Sequence, residues 1–270
     1  MSLHSSFKEN YFDLLFEEFQ LRVRHRAHGN YTKSYESFKR IENTESFLRQ
    51  ALDGRDHVEV LDVGCGDGYH LFVFNSSNEV RKRVTFQGID ISEQKIEFAR
   101  RVAAALGMEN VCFKIGDAEN PEYPDESFDV VLCSDVVEHL ENPEKCFAEI
   151  RRVLKSGGSI VLTTPNASNT IIRFASVLRK AGLLRNPKDP ETVRDGDHIS
   201  LKGLKEWVQI ARDSGLEVLA VRRGALIFGG YAYNRFPVLF GLALLADRLI
   251  DILPFCRNWG EAITLHLKKP

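Results

Sequence analysis

From residue 58 onward, short β-branched or apolar runs alternate with longer windows in which apolar residues return every three or four positions. Strands that alternate with amphipathic helices are the pattern of a parallel sheet with crossover helices. The strand segments are 58–63, 84–89, 111–115, 128–133, 159–163, 216–222 and 262–268. They predict an α/β, doubly wound sheet of seven strands. Ser92 is placed to N-cap a helix whose inward positions are Ile96, Ala99, Val102, Ala103 and Leu106, and Gly107 supplies its stop. Asn142 and Pro143 read as N-cap and first residue of the next helix, with Phe147, Ile150 and Leu154 as its buried stripe and Gly157 and Gly158 as its end. A further helix is expected between Ser200 and Gly215, with Leu204, Trp207, Val208 and Ala211 facing inward.

Three pieces fall outside this alternation. Residues 1–57 read as an N-terminal helical cap, locally basic through Arg22, Arg24, Arg26, Lys33, Lys39 and Arg40. The remaining domain, 58–270, carries insertions at 166–199 and 223–261 near the expected ligand edge. The first insertion holds an apolar helical window (Ile171, Ile172, Phe174, Val177, Leu178, Leu183, Leu184) followed by a polar loop. The second is dominated by leucine and isoleucine between Phe236 and Phe255, yet Asp247, Arg248 and Asp251 interrupt it, so it is too short and too charged to span a bilayer.

Composition narrows the classes. With 36 Lys+Arg against 38 Asp+Glu the net charge is -2, which gives nucleic-acid binding no support. Five cysteines without a CxxC pair, mostly inside apolar runs, read as buried thiols in a reducing, cytoplasmic setting. The opening residues lack the basic start and apolar stretch of a signal peptide.

The chemistry gathers at strand ends. The first strand runs into Asp62-Val63-Gly64-Cys65-Gly66-Asp67-Gly68, three glycines where the chain turns sharply and only glycine lets a ligand approach the backbone. The third glycine follows the second by two positions rather than three, which argues against a dinucleotide pyrophosphate. Asp90 ends the second strand, where a carboxylate can accept from both hydroxyls of a ribose. Gly116-Asp117 ends the third, where a carboxylate can accept from an exocyclic adenine amine. Either acid alone is as well explained as a helix cap; with the glycine turn they outline an adenosine. Asp62 suits a cationic amino group, which an amino-acid moiety supplies and a pyrophosphate does not.

These segments, with Gly88-Ile89-Asp90-Ile91-Ser92, Gly116-Asp117-Ala118, Phe128-Asp129-Val130-Val131 and Leu154-Lys155-Ser156-Gly157-Gly158 in this order, resemble the class I S-adenosylmethionine-dependent methyltransferases over residues 58–222. The resemblance implies their Rossmann-like fold with an antiparallel last strand, and S-adenosylmethionine as cofactor. It also implies contacts by Gly64, Cys65 and Gly66 to the methionine part, Asp90 to the ribose, Ile91 against the adenine face, Asp117 and Ala118 at the adenine edge, and Ser134 near the sulfonium.

Past the fourth strand lies Asp135-Val136-Val137-Glu138-His139, and if that segment is helical, Asp135, Glu138 and His139 share one face. Such a face suits a divalent metal such as Mg²⁺, Mn²⁺ or Zn²⁺, which lowers the pKa of an acceptor hydroxyl. The pattern resembles the ubiquinone-biosynthesis O-methyltransferases and the small-RNA terminal ribose methyltransferases, and in the latter a further histidine follows, for which His198 is the counterpart. Asp135 departs from the glutamate usual there. Without metal, His139 is the general base and Glu138 a surface charge of its helix.

The expected function is methyl transfer to the oxygen of a small-molecule or lipid-linked hydroxyl acceptor, with peripheral membrane contact, a lid over the active site or a homodimer contact as roles for the leucine-rich second insertion. The alternatives are a metal-dependent RNA ribose methyltransferase and a non-catalytic cofactor-binding protein of the same fold.

Overall fold

The computed structural model describes residues 31–75, 78–169, 177, 182, 198–226, 237–251, 253, 256 and 259–270. Most of the apolar window of the first insertion, and Arg22, Arg24 and Arg26, lie outside the described residues. A seven-stranded sheet in the order β3-β2-β1-β4-β5-β7-β6 forms the middle layer. Its strands are β1 (Val58–Val63), β2 (Val84–Asp90), β3 (Val111–Ile115), β4 (Phe128–Ser134), β5 (Leu154–Pro165), β6 (Glu217–Arg223) and β7 (Ala262–Lys268). Only β7 runs antiparallel, between β5 and β6.

Strand periodicity sorts the side chains into two cores. Val60, Val130, Leu132 and Val161 face the layer of α1 (Tyr31–Leu52), α2 (Tyr69–Phe74), α3 (Asn78–Arg83) and α4 (Glu93–Ala105). Their neighbours Leu61, Val131, Cys133, Ile160 and Leu162 face α5 (Pro143–Val153) and α6 (Leu204–Asp213). The remaining described helix, α7 (Pro237–Ile250), belongs to the second insertion. With neighbours on both faces, the central strands are apolar almost throughout, as parallel strands covered on both sides require.

Local chemistry explains most boundaries. Ser92 Oγ accepts from Lys95 N at 3.4 Å to start α4, and Gly107 at φ 61° ends it. Helix α5 starts at Pro143 as expected, and several other details differ from the sequence expectation. Asn142 makes no side-chain cap of α5, and Leu154 opens β5 rather than closing the helix, because its backbone pairs with Phe128. Helix α6 begins after Gly203, whose N–H donates to Glu206 Oε2 at 2.8 Å, three residues beyond Ser200. Ser200 instead donates to Leu140 O at 2.7 Å, tying that loop to the turn that follows β4. Four cysteines are buried free thiols, whereas Cys112 on the edge strand β3 is exposed.

Helix α1 lies across β5 and β7. Thr44 Oγ1 is 3.3 Å from Thr163 Oγ1, and the Phe47 ring stacks on His266 at 5.1 Å. Strand order reverses between β1 and β4, so the loops at their C-terminal ends diverge and leave the crevice in which open α/β sheets bind ligands.

Candidate active site

At the crevice floor the chain leaves β1 through Gly64, Gly66 and Gly68, all at positive φ. A Cβ on Gly64 would sit 2.3 Å from Val136 Cγ2, whereas a Cβ on Gly66 would meet nothing within 4 Å. Gly64 is therefore a packing requirement, and Gly66 borders open space that a ligand can enter. Asp90 organises the turn. Its Oδ2 accepts from Gly66 N at 2.9 Å and its Oδ1 from Ser92 N at 2.9 Å, leaving each oxygen one lone pair for a ligand hydroxyl. Asp90 O accepts from Gly116 N at 3.1 Å, so the ends of β2 and β3 are joined at this point. Ile91 beside it is 79% exposed, a large apolar side chain held out at the crevice edge. Asp117 is exposed and closes its own turn by accepting from Glu119 N at 2.8 Å, and Ala118 is half-buried.

Asp62 is buried, and among the described residues neither carboxylate oxygen has a hydrogen-bond partner. Burial, reinforced by the charge of Asp90, pushes its pKa up to about 8. An orphaned carboxyl behind a glycine turn is an arrangement that a ligand's ammonium group satisfies. Burial likewise pushes the Cys65 thiol up, which makes it a packing group rather than a nucleophile. The Ser134 hydroxyl at the end of β4 also lacks a partner among the described residues.

Beyond Ser134 the structure departs from the expected helix. Asp135 adopts φ 54°, and only a single 3₁₀ turn, Val137–His139, follows. The Asp135 carboxylate of this left-handed residue pairs with Arg40 Nη1 of α1 at 2.9 Å and is not among the ligand atoms that converge with Glu138 and His139. Arg40 also holds Glu261 through contacts of 3.1 and 3.4 Å. Asp135 thus leaves the proposed metal set. Glu138 is not a surface charge: it is fully buried, and its Oε2 accepts from Thr164 Oγ1 at 2.9 Å. Its Oε1 accepts no hydrogen bond among the described residues and lies 4.0 Å from His139 Nε2. Burial first, then the charge of Asp135, raises the Glu138 pKa to about 7, against the opposing hydrogen bond from Thr164 and the charge of His139. The His139 side chain is 42% exposed, and its ring centroid lies 4.9 Å from that of His198. One ligand atom from each of Glu138, His139 and His198 falls within 4.8 Å of the others.

Sequence reasoning missed Arg40, Thr164 and Glu261. None has a local motif, and their roles arise from long-range packing of α1 and β7 against the end of β5. His70, on α2, faces Asp135, Asp67 and Arg40, and burial holds its pKa below the ordinary histidine value.

The family model described as a methyltransferase domain matches residues 55–210, more than half of the chain. The chain belongs to the class I S-adenosylmethionine-dependent methyltransferases. Among its relatives in this family, it is 37% identical over 133 residues to the ajmaline N-methyltransferase of Rauvolfia serpentina, covering 46% of this chain and 44% of that enzyme. It is 31% identical over 155 residues to the methyltransferase YcgJ of Bacillus subtilis, covering 57% and 54%. These matches span about half the length of those relatives. The ubiquinone biosynthesis O-methyltransferase of Leptothrix cholodnii is 27% identical over 217 residues, covering 79% of this chain and 83% of that enzyme. Among solved structures, a geranyl diphosphate methyltransferase in complex with S-adenosylmethionine has a TM-score of 0.58 at 14% identity and covers 85% of each chain. The [4+2]-cyclase SpnF reaches the same TM-score at 20% identity, covering 85% of this chain and 81% of its own. These two likenesses establish the methyltransferase fold, and the fold by itself does not fix the reaction.

Proposed function

We propose that this methyltransferase transfers the methyl group of S-adenosylmethionine to a hydroxyl oxygen of a small-molecule or lipid-linked acceptor, with His139 as general base and Glu138 as its buried partner. The observation that carries this reading is the placement of Glu138 and His139: a fully buried carboxyl with one uncommitted oxygen stands directly behind a half-exposed imidazole, just past the end of β4. Bound S-adenosylmethionine supplies a methyl group on a sulfonium, which departs as a neutral thioether when the acceptor oxygen attacks the methyl carbon in line.

The chain's own residues do the rest. Asp90 holds a ribose through its spare lone pairs, Asp62 takes an ammonium, Gly64, Cys65 and Gly66 line the methionine part, Ile91 covers an adenine face with Asp117 and Ala118 at its edge, and Ser134 lies closest to the transferring group. Fixing both reactants in line supplies much of the barrier reduction. His139 accepts the hydroxyl proton, and an ionised Glu138 stabilises the resulting imidazolium. The 4.0 Å separation is longer than a hydrogen bond, a looseness that catalytic pairs lose when substrate binds. Support for oxygen as the methylated atom comes from the likeness to the ubiquinone-biosynthesis enzymes, which covers more of this chain than the match to the N-methyltransferase.

A second reading is favoured by one observation, the convergence of Glu138, His139 and His198. Two imidazoles and one carboxylate suit Zn²⁺ or Mn²⁺ better than Mg²⁺, which prefers oxygen. The donors fit a metal in kind, and these three residues would hold it; it would then supply an electrophile that acidifies the acceptor hydroxyl. The test is transfer of labelled methyl to extracts fractionated into lipids, RNA and small polar metabolites. His139→Ala is expected to lower kcat by about 10²–10⁴-fold with cofactor affinity unchanged. Full activity in His139→Ala, or label found only in RNA, would overturn the reading. Loss of turnover in EDTA, matched by His198→Ala, would favour the metal.

A further inference from the structure

Helix α7 is amphipathic the wrong way round for a helix packed on a protein core. At 100° per residue, Leu242, Leu245 and Leu249 fall within about 60° of one another, and they are 62%, 57% and 57% exposed. Leu253, in the turn after the helix, is 40% exposed. The opposite side carries Asp247, which is buried, and Asp251, which stays partly exposed, and meets α1 and β6. Asp247 is buried, paired with Lys39 and with Arg223 Nη1 at 2.8 Å, and Asp251 receives Lys39 Nζ at 2.8 Å and Arg223 Nη2 at 2.9 Å. Four ionic contacts to α1 and β6 therefore fix the helix with its leucines outward. The stripe is not a core stripe that happens to be solvated.

An outward apolar stripe held in place by a partly buried ionic clamp marks a contact with an apolar surface outside the molecule. The four leucines expose roughly 400 Å², about half of the ~800 Å² per partner that a stable protein interface buries. A 14-residue helix is about 21 Å long, shorter than the ~30 Å hydrocarbon layer, and among the described residues no helix is long and apolar enough to cross a membrane. A helix of this kind lies in the interface with its apolar face sunk among the headgroups.

We propose that the Leu242–Leu245–Leu249 face of α7 seats this protein on the surface of a lipid bilayer. The inference goes beyond methyl transfer and does not depend on it: the stripe and its ionic clamp stand whatever the acceptor. Because the contact is apolar and Arg248 is the one exposed cation among the described residues of the helix, it is expected to survive salt that screens surface charge.

The experiment is co-sedimentation of the full chain with vesicles of phosphatidylcholine and phosphatidylglycerol at about 0.1 and 0.5 M salt, beside the triple variant Leu242→Ser, Leu245→Ser, Leu249→Ser. The wild type should pellet with vesicles at both salt concentrations, and the triple variant should lose at least about tenfold in partitioning. Thermal stabilisation of the variant by S-adenosylmethionine reports an intact fold separately. Should the triple variant not fold, Leu245→Trp replaces it, and its fluorescence should shift to the blue when vesicles are added. A wild type that stays in the supernatant would overturn the proposal. So would equal pelleting of a folded triple variant, an unshifted Leu245→Trp, or a wild-type dimer that the serines convert to monomer.

Discussion

Replacing Asp62 by asparagine removes the one buried carboxyl at the crevice whose oxygens are both without partners among the described residues. With its pKa pushed up to about 8, Asp62 is about 90% protonated at pH 7 in the free protein. Pairing with the cofactor's ammonium requires the ionised form, so binding at pH 7 should release about 0.9 proton. Ionising the group at that pH costs about 1.4 kcal/mol, which weakens the apparent Kd about tenfold relative to a site already ionised. The sign for stability follows from the same shift. A folded pKa above the unfolded value gives a contribution that is full below about 4 and is lost as pH rises through about 8. The free protein should therefore lose stability across that window, and stabilisation by cofactor should grow across it. Titration calorimetry with S-adenosylmethionine in two buffers of different ionisation enthalpy reads the proton count directly. Near-zero release from the wild type, or the same release from Asp62→Asn, would refute the argument.

Three further outcomes follow from the geometry. The acid limb of the kcat/KM profile should lie near pH 7, with activity rising as Glu138 ionises, and Glu138→Gln should move that limb while lowering kcat; an unchanged profile in the variant would remove Glu138 from the mechanism. Gly64→Ala meets Val136 and should lower Tm sharply, whereas Gly66→Ala, strained by only about 1–2 kcal/mol, should fold yet bind cofactor more weakly; calorimetric scanning with and without ligand separates the two. Asp247→Asn leaves Lys39 and Arg223 buried with half their counter-charge and should cost about 3 kcal/mol or more in urea unfolding; a loss below about 1 kcal/mol would show that the pair is not buried as described.

The strands were readable because they are short β-branched or apolar runs, and β1, β2 and β3 end in or run into glycine or an acid, signals that depend on neighbours in sequence. The same holds for Asp90 and Gly66, which sit at adjacent strand ends and meet through one hydrogen bond from the Gly66 backbone N–H to the Asp90 carboxylate. What failed was the assumption that a helix continues from Asp135. That residue is left-handed, and its carboxylate pairs with Arg40, a partner 95 positions away that no local pattern indicates. Periodicity failed differently in α7, where leucine spacing indicates a helix face but not which way it points. The direction is set by Lys39 and Arg223, from α1 and β6. Glu138 was identified as functional, but its burial depends on Thr164 and on the loop through Ser200, which closes over the turn by donating to Glu138 O at 2.9 Å.

The central claim is that the crevice at the ends of β1, β2 and β4 holds S-adenosylmethionine through Asp90. Calorimetric titration of the wild type and a cooperatively melting Asp90→Ala variant with S-adenosylmethionine, and of the wild type with NAD, tests it most directly. The account predicts that S-adenosylmethionine binds the wild type, that Asp90→Ala loses most of that affinity, and that NAD does not bind. Undiminished binding by Asp90→Ala, or a wild type that takes NAD in preference to the sulfonium ligand, would contradict it.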